Sequence, residues 1–88
     1  MSTVISNEQA KRNIAAQLSA LIEESDSPSL RDIAAETGES HTVIGEYVRG
    51  EKMPGVAPLA RLAEFFTRRL KRKITLDFFL SGNGKKSA

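Results

Sequence analysis

Apolar residues recur along this chain three and four positions apart, and no segment alternates with period two over a useful length. That spacing predicts an all-α chain of five helices. The first begins at Ser6, where "SNEQ" sets a hydroxyl at the cap and Gln9 three residues on. This is the capping-box arrangement that satisfies orphan amide groups. Ile14, Leu18, Leu21 and Ile22 then share one face. The helix is expected to fail near "ESDSPS", where Ser, Asp and Pro compete with helical backbone bonding.

A second helix is predicted from Ser29, because "SLRD" again sets a cap hydroxyl three residues before an acid, Asp32. Leu30, Ile33, Ala34 and Thr37 form its inner stripe, and Gly38 ends it where a left-handed residue is cheapest. Two turns of helix are too short to persist alone, so packing must hold it. Ser40 is the expected cap of a third helix, with Val43, Ile44, Tyr47 and Val48 as its apolar contacts and Gly50 at its end. "EKMPG" reads as a loop, since Pro54 forbids continuation.

The fourth helix is longer, with Val56, Leu59, Leu62, Ala63, Phe66 and Leu70 at helical spacing. Pro58 is tolerated in its first turn. Its end, "RRLKRK", places cations where the carbonyl end of the helix dipole favours them. A short fifth helix, "TLDFFL", is expected from Thr75 to Gly82. Residues 1–88 form one domain, with flexible ends expected at 1–5 and 82–88.

Composition narrows the chemistry. There is no cysteine, so disulfides and thiolate metal sites are excluded, and a single histidine, His41, leaves no second imidazole for a metal or a nucleophile–base pair. No cofactor and no metal are expected. With no paired carboxylate context and no Gly-rich phosphate loop, catalysis is not expected either. The apolar runs fall well short of the roughly 20 residues needed to cross a bilayer. The opening "MSTVISNEQ" lacks the basic-then-apolar order of a secretory signal, and a cytoplasmic setting is expected. Net charge is +2, but residues 1–50 carry eight acids against four bases, and residues 51–88 carry nine bases against three acids. Such asymmetry hints at a polyanionic partner, although a charge run can also be a solvated face.

The second and third helices are two short helices joined by a glycine-containing turn, the helix-turn-helix pattern, over about residues 29–50. Close crossing needs a small side chain on the first helix, which Ala34 supplies, and a permissive turn residue, which Gly38 supplies. Ile44 and Tyr47 can anchor the second helix inward, leaving its N-terminal residues free to project. Small or polar residues there fit a major groove about 12 Å wide.

The stretch "SLRDIAAETGESHTVIGEYVRGEKMPGVAPLARLAEFF" resembles the lambda-repressor-like, Cro-type (Xre) helix-turn-helix domains. The resemblance rests on an ordered set: the capped "SxxDIA" start, the Ala-x-x-x-Gly turn and the Ser40 cap. The Ile44 and Tyr47 anchors, the "RGxxxP" ending and the "LxxLAxFF" helix complete it. It implies the family's five-helix fold and base reading from the first two turns of the third helix, here His41, Thr42, Gly45 and Glu46. It further implies backbone contacts from Arg49 and Lys52, with Ser40 holding a phosphate at the helix N-terminus. Leu30 stands where many members carry a polar phosphate-binding residue, and Arg31 is the candidate to replace it.

Each of these residues has a plainer reading beside the functional one. His41 can be merely exposed, and Gly45 can mark close approach either to a groove or to another helix. Glu46 can accept from cytosine N4 or simply face solvent. In the family the end of the fourth helix lies away from DNA, so "RRLKRK" is either a solvated end, a second nucleic-acid contact or a site for an acidic protein partner. Phe65, Phe78, Phe79 and Leu80 offer more apolar surface than a small core is expected to hide, which suggests a homodimer contact. The expectation is therefore a sequence-specific, double-stranded-DNA-binding transcriptional regulator, a small dimeric repressor of phage, mobile-element or antitoxin type. The alternative is a protein-interaction adaptor on the same scaffold, motivated by the acidic residues Glu39, Glu46 and Glu51 around the third helix.

Overall fold

A computed structural model describes residues 6–81, and within them the chain forms five α-helices. These are α1 (Asn7–Glu24), α2 (Leu30–Thr37), α3 (His41–Val48), α4 (Val56–Leu70) and α5 (Leu76–Ser81). Three serines start helices as the sequence requires. Ser6, Ser29 and Ser40 each accept a hydrogen bond on their hydroxyl oxygen from the amide three residues on, at Gln9, Asp32 and Val43, at 3.0 Å in all three cases. Each bond satisfies one amide that the first turn leaves without a helical partner.

The helices end by left-handed residues. α3 closes with Gly50 at φ +76°, its amide bonded to the Tyr47 carbonyl and the Glu51 amide reaching back to Glu46. α1 closes with the same paired-bond pattern, but the left-handed residue is Asp26 at φ +76°, with the Ser27 amide bonded to the Ile22 carbonyl. Gly38, at φ +79°, ends α2, its amide bonded to the Ala34 carbonyl.

α1 runs across α3 and α5, α2 packs on both α3 and α4, and α5 touches α1 and α4. One core fills the space between them, with Ile14, Leu18 and Leu21 from α1, Ile33 from α2 and Ile44 and Tyr47 from α3. Leu62 and Phe66 from α4 and Phe79 from α5 complete its centre. Phe65 and Phe66 meet edge to face with ring centres 4.9 Å apart.

The fifth helix corrects an expectation. Phe65 and Phe79 are buried and Phe78 is half-buried, so the aromatic residues of α4 and α5 fill the core and do not leave a large apolar face; Leu80 stays partly exposed. The reason is that α5 folds back onto α1. Gln17, buried at 1% exposure, donates from its amide to the Phe78 carbonyl at 2.9 Å, and Asn13 donates to the Leu80 carbonyl at 2.8 Å.

Candidate nucleic-acid interface

The α2–turn–α3 unit is gripped from inside. Ile33 and Thr37 of α2 and Ile44 and Tyr47 of α3 are buried, and the Thr37 hydroxyl donates to the Ile33 carbonyl at 2.8 Å, which removes a polar group from the core's account. What the anchors leave outside is the first turn of α3. Ser40, His41 and Thr42 are exposed, and Glu46, one turn further along, is half-buried. Arg31, in the first turn of α2, and Lys52, in the loop after α3, are also exposed and make no ion pair with any described residue.

Gly45 stands apart from the other expected base-contacting residues, because it is buried. A Cβ added there would lie 3.4 Å from Leu30 Cδ1 and 3.1 Å from an Arg49 guanidinium nitrogen. The close approach that this glycine permits is thus to α2 and to the end of its own helix, and its surface is not presented outward. Leu30, half-buried against the core, occupies that space. An apolar residue at the start of α2 and a glycine in α3 form one fitted pair.

Arg49 is exposed but not idle. Its guanidinium makes two bonds to the Glu51 carboxylate, at 3.0 and 3.2 Å, with both side chains 56% exposed. These bonds hold the Glu51 carboxyl below its usual range and push the Arg49 guanidinium further up. A phosphate approaching Arg49 therefore competes with Glu51. Across the turn, Arg61 of α4 meets Glu39 at 2.6 Å, and Glu39 is only 14% exposed. The ground around α3 is close to neutral: Arg31, Arg49 and Lys52 stand against Glu46 and Glu51, with Glu39 already matched by Arg61.

The cations of residues 68–73 are held elsewhere. Arg72 reaches Glu24 at the end of α1 at 2.6 Å, and Arg68 pairs with Glu64 one turn back on α4 at 3.2 Å. Among the described residues no three metal-ligating side chains gather, and no helix is long and apolar enough to cross a membrane. The arrangement offers a short capped helix start with two polar side chains, His41 and Thr42, standing clear of the fold. Comparison of the chain with protein-family models, with curated proteins and with solved structures gives no significant match.

Proposed function

We propose that this chain is a sequence-specific, double-stranded-DNA-binding transcriptional regulator, a small repressor acting as a homodimer. The observation that carries the reading is the Ser40-capped start of α3, held up by Ile44 and Tyr47 with His41 and Thr42 exposed beyond it. In this reading α3 enters the major groove by its first turn, and His41 and Thr42 meet base edges. Glu46 borders the contact and selects for a donor such as the cytosine amino group. The leading amides of α3 face a phosphate, which the positive end of the helix dipole favours. Arg31 and Lys52, with no ion-pair partner of their own among the described residues, take the flanking backbone. Repression then follows from occupancy of the duplex.

Selection of bound duplexes from a random pool tests this directly. The expected result is an enriched consensus arranged as a palindrome, since two symmetric copies read two half-sites. His41→Ala and Thr42→Ala are each expected to cost about 1–3 kcal/mol on the selected site and little on unrelated sequence. Arg31→Ala and Lys52→Ala should weaken all sequences alike. A pool that yields no consensus sinks the proposal. The near-neutral ground around α3 favours one other reading, an adaptor that binds a protein through the same face, and such a pool would point to it.

A further inference from the structure

Five of the six residues from 68 to 73 are Arg or Lys, and the fold gathers them. Lys71 takes the left-handed conformation at φ +58°, with its amide bonded to the Thr67 carbonyl at 2.9 Å. The Ile74 amide then donates to the Thr67 hydroxyl at 2.9 Å. The loop is thereby folded back on the last turn of α4, and Thr67, Arg68, Lys71, Arg72 and Lys73 line one shallow groove. A glycine adopts this backbone conformation without steric cost and a lysine does not, so the position holds a charge where the local backbone asks for none.

Neutralisation from within the chain is partial. Glu64 meets Arg68 and Glu24 meets Arg72, while Arg69 lies over the Phe65 ring at 5.5 Å. Lys71 and Lys73 make no ion pair with any described residue. In the groove four cations stand against two carboxylates, an excess of two positive charges, while Arg69 lines a separate pocket with Glu36. The paired arginines are still 60% and 45% exposed, so a polyanion can reach them too.

We infer that this groove is a second nucleic-acid contact, separate from α3, which binds the phosphate backbone without regard to sequence. The chemistry of the patch selects among polyanions. A membrane-surface site needs apolar side chains beside its cations. Among the described residues the exposed large hydrophobics are Met53, Val56 and Leu80. Met53 and Val56 lie at the other end of α4, and the Leu80 carbonyl is bonded to Asn13, about 16 Å along α1 from Glu24. An acidic protein partner would need an aromatic or aliphatic pocket for its anchors, yet Phe65 is buried and Phe78 is half-buried with Arg72 stacked 5.9 Å above its ring. A phosphate backbone needs only the cations. The groove supplies affinity that the near-neutral ground around α3 does not, and it does so whether or not α3 reads bases.

The test uses Lys71→Gly and Lys73→Gln, singly and together, with a fluorescent random-sequence duplex titrated at several salt concentrations. Lys71→Gly is the decisive variant because its two expected effects have opposite sign. Relief of the left-handed strain raises Tm, while duplex affinity at low salt falls. In the double variant the slope of log K against log salt should become shallower by about 2, one phosphate contact per lysine. Unaltered binding and slope in the double variant would overturn the inference, as would a wild-type chain that ignores duplex but binds a poly-glutamate peptide. If the lysine variants weaken random duplex while selection returns no consensus, the groove stands and the α3 reading falls. A consensus with no effect of the lysines gives the reverse.

Discussion

Tyr47 is the only tyrosine in the chain, and its ring is part of the core that holds α3 in place. Burial raises the pKa of its phenol above the ordinary value near 10, and the Glu39 and Glu46 carboxylates add to the rise while Arg61 opposes it. The folded state therefore holds this proton more tightly than the unfolded chain does. The associated stability is fully present below pH 10 and is lost as pH rises from there through the raised value. Tyrosinate absorbance reports this group alone, so an alkaline titration of the folded chain should give a midpoint above that of the chain in denaturant. Tyr47→Phe should remove that part of the alkaline loss of stability and leave the neutral-pH fold in place. At the same scale, the inward role of Tyr47 and Ile44 was legible from spacing alone. For Gly45 the sequence left open a groove or another helix, because periodicity places a residue on a face but does not say that Leu30, fifteen positions earlier, will lie across it.

The helix starts were readable because a cap is a local device: Ser6, Ser29 and Ser40 each need only the amide three residues on. Two of the helix ends were less so. α1 does end at "ESDSPS" as its Ser, Asp and Pro require, but the left-handed conformations of Asp26 and Lys71 are ones that composition assigns to glycine. The placement of α5 was not legible at all. A six-residue helix has too few internal bonds to persist unaided, and it is secured by Gln17 and Asn13, more than sixty positions before it in sequence. These two side-chain amides tie the Phe78 and Leu80 carbonyls of α5 to α1. Gln17→Ala is thus expected to lower stability by about 1–3 kcal/mol, since a part-buried hydrogen bond between α1 and α5 is lost. Urea denaturation measures the loss. Hydrogen exchange should show α5 opening before α2 and α3 in the variant.

For the molecule as a whole, the sequence suggested a basic half joined to an acidic half, and the fold lays one against the other. Arg61 and Arg72 of the basic half reach Glu39 and Glu24 of the acidic half. Charge summed along the chain thus overstated the separation in space, because it ignores which surfaces pack. The two cross-links are unequal. Glu39 is largely enclosed while Glu24 is 47% exposed, so solvent screens the second pair far more. Glu39→Gln is expected to cost about 1 kcal/mol and Glu24→Gln close to nothing, compared by thermal or chemical melts at the same ionic strength. A larger cost for Glu24 would mean that the basic end of α4 depends on α1 for its position. The expectation of spare aromatic surface fails at this scale because α5 folds back onto α1 and brings Phe79 in as core filling and not as excess.

Gly38 and Gly50 stand at the two ends of α3 with φ of +79° and +76°, each in a conformation that side chains resist. Between them the helix is fastened chiefly through Ile44 and Tyr47, and His41 and Thr42 contribute nothing to the core. The side chains at 41 and 42 are therefore uncoupled from what holds the segment, namely Ile44 and Tyr47 in the core, Gly45 against Leu30 and the Glu39–Arg61 pair. In the proposed reading, preference is written at positions 41 and 42, and substitutions there are expected to leave the remainder of the fold as it is.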